Sequence, residues 1–400
     1  MAERAIIFPV TAATPAASPR RDTWISFAYF ATWAFILYAI GIATPYLKAD
    51  LHLTDFQAGL HGSAFAVGIL VAGVIADRLA RWLGPNWLPD AGVAVLLIGI
   101  ALIAFAPALP VSLTGTMLVG LGGATVATDV NVRLSRVGGD GARRLFSQAN
   151  ALAMLMAAAA PVAIGLAAAD LHAWRLGLAI PVIGFLALTA VRPREKEERR
   201  SVRVPSSRLP RAYWFAWTGL VVAVSIEFSF VYWGSTMIAK QTNILSSDAT
   251  LLASLFVVGM FLCRAALGSG FGGGRTPRLV MATGLLVVIA GACLVLVSPV
   301  PILSGVGLLL GGLGTAALFP VGLSVALQSA PNAQFAAAAR ATLASGVAVL
   351  LAPSALGLAA DAVGVAGAWT MIPGLAVAGL LVLVVTPAHR ADDQAAASRS

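Results

Sequence analysis

Residues 192–211 read RPREKEERRSVRVPSSRLPR, eight basic and three acidic side chains in a chain otherwise poor in charge. On both sides of this segment, apolar stretches follow one another at the length a helix needs to cross a bilayer core about 30 Å thick, roughly 20 residues. Six precede it, at 24–46, 56–76, 88–107, 111–132, 145–168 and 173–191; six follow, at 212–239, 249–270, 278–298, 300–327, 333–360 and 364–386. The runs are apolar on every face and far longer than the roughly 10-residue alternating strands of a membrane barrel, so they read as helices. Turn chemistry separates them, as at Pro107 to Pro110, Pro299 with Pro301, and Pro331-Asn332. Thr54-Asp55 ahead of the second stretch has the form of a helix cap.

The whole-chain composition agrees. The 400 residues are 59% hydrophobic and 11% charged, with a mean hydropathy of +0.89. A soluble domain is about 25% charged, and 26 basic with 17 acidic side chains cannot cover a water-exposed surface of this size. Soluble enzymes, nucleic-acid modules and disordered scaffolds are excluded as readings of the whole chain. Cys263 and Cys293 both lie in apolar runs, which suggests neither a disulfide framework nor a thiolate metal site. The +9 charge follows topology instead of nucleic acid. With twelve spans and both termini on one side, only Lys48, Arg175 and Lys240 of the 26 basic residues fall on the other. By the positive-inside rule the termini are cytoplasmic. Residues 1–23 hold one six-residue apolar patch, Ala5 to Val10, too short for a signal peptide, and read as a cytoplasmic tail.

The two sets of six spans repeat one another. APVAIGLAA at 160–168 recurs as APSALGLAA at 352–360, and GLGGA at 120–124 recurs as GLGTA at 312–316, both at an offset of 192 residues. Ala173-Trp174 answers Ala368-Trp369 a little later. The expected organisation is an N-terminal tail (1–23), a six-helix bundle (24–191), a cytoplasmic linker (192–211), a second bundle (212–386) and a C-terminal tail (387–400). Parallel repeats of this kind place a binding site at the midplane between the halves, opened to each side in turn.

Between spans two and three the chain reads Gly73-Val-Ile-Ala-Asp77-Arg78-Leu-Ala80-Arg81-Trp82. This resembles the major facilitator superfamily signature Gly-x-x-x-Asp-Arg-x-Gly-Arg-Arg/Lys, in the position where that family carries it. Gly73, Asp77, Arg78 and Arg81 match; Ala80 stands for Gly and Trp82 for a base. Gly73 suits close helix approach, and Asp77 suits the positive start of span three. The resemblance implies an all-α integral membrane protein of twelve transmembrane helices in two pseudo-symmetric bundles, and a secondary transporter. It also implies that Arg81 pairs with an acid at the cytoplasmic end of span four, where Asp129 stands, with Arg133 one turn on. Asp129 is read as a gate charge, with proton carriage as its second reading. At subfamily level two features depart from drug exporters. Thr116 occupies the place of an early span-four Arg, and Ala160-Pro161-Val-Ala-Ile164-Gly165 replaces Gly-Pro-x-x-Gly-Gly. A Glu followed by Trp in span seven is similar to the sugar-permease-like branch.

An ionisable group at membrane depth is a functional candidate by default. Glu227, about 22 Å into span seven, is the deepest acid, and burial favours its protonation; it is the expected proton carrier. The plainer reading is a neutral Glu bonded to a neighbouring helix. Trp33, Tyr38, Asn131, Gln148, Asn150, Tyr232, Trp233 and Arg340 are candidate cavity residues, though each also fits helix packing or interface anchoring. Tyr29 and His61 stand beside them, His61 more naturally as a packing residue. The Gly-rich run 268–274 lacks the Lys-Ser/Thr ending of a phosphate loop and follows a membrane helix, so nucleotide binding is rejected there.

The expected function is movement of a small organic solute across the inner membrane by alternating access, as proton-coupled efflux, by a monomer needing no metal or cofactor. A proton-coupled importer of a sugar or metabolite is the alternative, and a non-transporting sensor or scaffold the alternative of another class. No paired acids, His cluster or Ser/His/Asp set supports a membrane enzyme.

Overall fold

The computed structural model describes residues 19–138, 142–170, 173–193, 209–268 and 275–385. The tails, most of the linker and most of the Gly-rich run lie outside the described residues. Within them the structure is helical throughout: α1 Pro19–Leu51, α2 Asp55–Ala104, α3 Leu109–Gly138, α4 Ala142–Asp170, α5 Ala179–Val191, α6 Arg211–Thr242, α7 Ser246–Gly268, α8 Pro277–Val297, α9 Pro301–Thr315, α10 Leu318–Gln328, α11 Gln334–Trp369 and α12 Met371–Val385. A 3₁₀ turn, Trp174–Leu178, leads into α5.

Helices and spans do not correspond one to one. At 1.5 Å per residue, the 50 residues of α2 would extend about 75 Å if straight, far beyond a bilayer. Gly84 breaks it, with φ 71° and ψ 174°, so α2 holds spans two and three. Such a backbone is open to glycine and strained for most other residues. Gly364 (φ 78°, ψ 163°) divides α11 in the same way and marks the start of span twelve, which continues into α12. Span ten is α9 followed by α10. Eleven described segments are long and apolar enough to cross a membrane, and the shorter Met371–Val385 completes the twelfth with the end of α11. Thr54 closes a reciprocal cap with Gln57 at the start of α2, as its sequence suggests.

The repeat is visible in how glycines let helices touch. Gly122 of α3 lies against the backbone of Gly92, and Gly314 of α9 lies against Gly284. Gly99 meets Gly115 in one half, and Gly291 meets Gly307 in the other. All four residues of the first half reappear 192 positions later, the offset of the sequence repeat. A side chain at these places would strike backbone, so small residues set the spacing within each bundle. Two pseudo-symmetric bundles result, meeting along α1 with α6 and α7, α2 with α11, and α4 with α7.

The face at which α1 begins and α12 ends is called here the terminal face, and the opposite one the distal face. At the terminal face Arg192 Nη2 donates to Asp90 Oδ1 at 2.7 Å and to the Asn86 carbonyl at 2.6 Å, fastening α5 to span three. Arg278 donates to the Leu383 carbonyl at 2.5 Å, fastening α8 to α12. Two of the three basic residues on the distal face are neutralised locally. Lys48 pairs with Asp55, and Arg175 with Asp50 at 2.8 Å. Asp50 also accepts from Trp174 Nε1 at 2.9 Å.

Candidate functional site

Glu227 lies about half-way along α6, where a carboxylate needs a partner or water. Its Oε1 accepts a 2.5 Å hydrogen bond from the Tyr38 hydroxyl of α1, across the boundary between halves. Tyr38 is buried, and its oxygen also lies 3.8 Å from Met260 Sδ of α7. The candidate carrier therefore sits where three helices from both halves converge.

A second charge stands near it that the sequence reading did not single out. Arg264, one turn beyond Met260 on α7, donates Nε to the Ala316 carbonyl at 3.2 Å and Nη1 to Met154 Sδ at 2.9 Å. Met154 belongs to α4, so this contact also joins the halves. Met260, one turn before Arg264, meets the Tyr38 hydroxyl that bonds Glu227. In the sequence Arg264 passes for one more terminal-face base near a helix end. The direction of helical side chains is the signal that would have found it: they lean toward the helix N-terminus, which carries Arg264 into the membrane and away from the terminal face.

The other candidate residues are distributed unevenly. Tyr232 and Trp233 are buried, Trp233 donating Nε1 to the Pro353 carbonyl at 3.2 Å. Tyr232 Oη and Ser235 Oγ, one turn apart on α6, are buried without a hydrogen-bond partner among the described residues. Trp33 stacks on Phe65 with ring centroids 5.8 Å apart and fills the notch left by Gly123. Asn131, Gln148 and Asn150 are exposed. Arg340 lies over the Trp214 ring at 5.9 Å, its carbonyl accepting from Trp217 Nε1. Gln148 and Arg340 are thus placed near the terminal ends of α4 and α11, away from the Glu227 layer. His61 is a bonded packing residue. Its Nδ1 lies 3.1 Å from the Ala58 carbonyl and its Nε2 3.0 Å from Ser112 Oγ, so both ring nitrogens are hydrogen-bonded. Tyr29 bonds Thr189 at 3.0 Å within the first half.

Of the signature residues, Gly73 has open space beside it and Arg78 is exposed. The side chains of Asp77 and Arg81 lie outside the described ones. A recess of about 650 Å³ opens beside Ile75, Arg78, Leu79 and Trp82. Asp129 is buried and accepts from Arg133 Nε at 2.6 Å, the one-turn pairing its spacing allows. Asp129, Arg133, Arg192, Tyr29 and Asp22 line a crevice of about 10 Å³, room for about one water molecule.

The halves are locked together at the distal face. Asp361 of α11 accepts from the backbone N–H groups of Asp55 at 2.7 Å and Phe56 at 2.8 Å, a carboxylate at the positive start of α2. Tyr46 bonds Thr250 at 2.9 Å. Nearer mid-membrane Ser63 Oγ donates to the Leu350 carbonyl at 2.5 Å. Gly59 lies so close to Pro353 and Ser354 that a Cβ would be 2.5 Å from the Pro353 carbonyl oxygen. Replacing Asp361 with Asn removes the charge from this clasp. Amide hydrogen exchange at Asp55 and Phe56 is expected to quicken by roughly two- to fivefold, the size of an exposed charge–dipole contact; unchanged exchange there would show that the clasp holds nothing.

No family model matches the chain. It is 27% identical over 377 residues to multidrug resistance protein MdtL of Escherichia coli O139:H28 (strain E24377A / ETEC), covering 88% of this chain and 91% of that protein. MdtL of Shigella boydii serotype 18 (strain CDC 3083-94 / BS512) aligns equally, at 27% over 377 residues. The fold superposes on a point mutant of the nucleoside transporter NupG with a TM-score of 0.72 at 14% identity, over 91% of this chain and 98% of that one. It also superposes on a bacterial homolog of the human lysosomal transporter Spinster, inward-facing and unoccupied, with a TM-score of 0.69 at 15% identity, over 96% and 98%. In sequence and in fold the chain is similar to these proteins over nearly its whole length. It is an integral membrane protein with the fold of these transporters.

Proposed function

We propose that this transporter exports an amphipathic organic solute in exchange for protons, with Glu227 as the proton carrier. The observation that carries this reading is the Tyr38–Glu227 hydrogen bond of 2.5 Å between the halves. A protonatable group placed there changes the strength of the boundary itself. Ionised, Glu227 accepts strongly from Tyr38 and holds α1 to α6; protonated, it accepts more weakly, and the halves separate more easily. Proton binding is thereby linked to rocking, which is what coupling requires. One proton crossing 100 mV supplies about 2.3 kcal/mol per cycle.

Export is supported by the likeness to MdtL, whose name is that of a multidrug resistance protein. The surroundings favour an amphipathic solute. Trp33, Tyr38, Tyr232, Trp233, Met154 and Met260 are buried apolar and aromatic side chains in the helices that meet between the halves, with the hydroxyls of Tyr232 and Ser235 among them. In this reading the tails 1–23 and 387–400 and the linker 192–211 are cytoplasmic, and the bundles 24–191 and 212–386 move as bodies in a monomer. The terminal face is then the cytoplasmic one, and a form locked at the distal face faces inward. Asp129, paired with Arg133, acts as a charge of the cytoplasmic gate.

The test is proton flux in liposomes holding the purified protein and an internal pH dye. Aromatic amphiphiles applied to one side are expected to drive proton movement in the opposite direction, above that of protein-free liposomes. Flux in the same direction as the solute favours the importer instead. Solute transport with no proton movement at any imposed gradient ends the coupling reading.

A further inference from the structure

Among the described residues, Arg264 is the strongly basic group that the fold turns into the interface between halves at the level of the Glu227 layer. α7 runs from the distal to the terminal face, so a side chain near its terminal end, such as that of Arg264, leans toward mid-membrane. The bonds Arg264 makes show that it does so, since Ala316 and Met154 lie about 22 Å and 18 Å from the first residues of α9 and α4. α6 runs the opposite way, so Glu227 leans back toward the terminal face, and the two charged side chains converge.

The bonds of Arg264 are poorly matched to its chemistry. A guanidinium has five N–H donors in a fork that fits a carboxylate or phosphate. Here one donor goes to a main-chain carbonyl and another to the thioether of Met154, a weak acceptor. Arg264 forms no ion pair among the described residues, Nη2 makes no hydrogen bond there, and the side chain is only part-buried. Glu227, the acid of this layer, is engaged by Tyr38. An intramembrane Arg held this way is costly unless an anion or water completes its shell. Met154 lies against the guanidinium and Met260, one turn before Arg264, against the Tyr38 hydroxyl, two apolar and adaptable side chains on either side of this layer.

We propose that Arg264 is the anion-recognition residue of the solute site, and that the transported class is an amphipathic organic monoanion. The anionic head of the solute takes the donors now spent on Met154 or left open. Its apolar body lies along Met154 and Met260. This deepens the export reading and rests on it for the direction and use of the site. It adds a charge consequence: a monoanion leaving in exchange for one entering proton moves two net charges per cycle.

The experiment is equilibrium dialysis of the purified full-length protein in nanodiscs against three probes on one scaffold: 2-naphthoate, 2-naphthamide and (2-naphthyl)trimethylammonium. Charge-assisted hydrogen bonds to Arg predict that the wild type binds the carboxylate about tenfold or more tighter than the amide, and the ammonium most weakly. Arg264→Gln is expected to bring the carboxylate to the level of the amide, and Arg264→Lys to restore part of the preference by charge alone. A wild type that binds the carboxylate no tighter than the amide, or not at all, overturns the proposal without recourse to any variant. An Arg264→Gln protein that keeps the wild-type ratio also overturns it; if that variant has lost proton flux, Arg264 is a counter-charge to Glu227. Dialysis needs no proton gradient. Selectivity lost in Arg264→Gln, together with solute transport that moves no protons, leaves anion recognition standing and removes only the coupling.

Discussion

Glu227→Gln is expected to abolish solute-driven proton flux in liposomes, down to the level of protein-free vesicles. Gln is isosteric with Glu and its side-chain oxygen still accepts from Tyr38, so the 2.5 Å bond between α1 and α6 keeps an acceptor. What disappears is the exchangeable proton, and with it the about 2.3 kcal/mol per 100 mV that one proton delivers. Solute should still equilibrate down its own gradient, because alternating access needs no proton once coupling is gone. Accumulation against a gradient should fail. The measurement is paired: internal pH and labelled solute in the same vesicles. Full proton flux in Glu227→Gln would exclude Glu227 as carrier and pass the role to Asp129. Tyr38→Phe is a useful companion, since it leaves the carboxyl and removes the interhelical bond. It is expected to keep proton flux while weakening the link between protonation and movement.

Gly59→Leu is expected to drive the transporter out of its distal-closed form. Gly59 faces the backbone of Pro353 and Ser354 across the boundary between halves, and a Cβ there would lie 2.5 Å from a carbonyl oxygen that cannot move aside. Overpacking of this kind costs about 1–3 kcal/mol. Because the contact is between halves, that cost falls on one conformation and not on the fold of either bundle. At tenfold per 1.4 kcal/mol, the population should shift roughly 5- to 150-fold toward distal-open. Double electron–electron resonance between spin labels at His52 and Val363, in a background with Cys263 and Cys293 replaced by Ser, would read the shift as a longer distance. Gly374→Leu serves as the control, since nothing lies within 4 Å of a Cβ there. An unchanged distance in Gly59→Leu would mean that the distal contacts do not set the equilibrium.

Much of the architecture is legible without coordinates, and the reason is the bilayer. A membrane imposes one length on every span, so simple runs of apolar residues mark the helices, and the 192-residue repeat shows the duplication. Boundaries were harder where a backbone break lies inside a continuous apolar run. Gly84 and Gly364 adopt positive φ within what otherwise reads as helix, and only Gly364 coincides with a span edge drawn from composition. Glu227 was legible because an acid at mid-span is expensive. Its partner Tyr38 lies 189 residues away in the chain and could be named only as one of several aromatics.

Sequence alone determined that this chain is a twelve-span, two-bundle membrane protein, with a basic linker at its centre and one deep acid. Those properties are local or repetitive, fixed by apolar length, by charge at the span ends and by small residues at matching offsets. Tertiary structure decided which polar groups meet: Tyr38 with Glu227, Arg264 with Met154, and Asp361 with the start of α2. Lipid tails are as apolar as a neighbouring helix, so burial against protein leaves no hydrophobic stripe in the sequence to tell an inward face from an outward one. The direction of each side chain along its helix and the meeting of the two halves exist only once the bundles are packed. They turn Arg264 from an apparent surface charge into a group at the transport boundary.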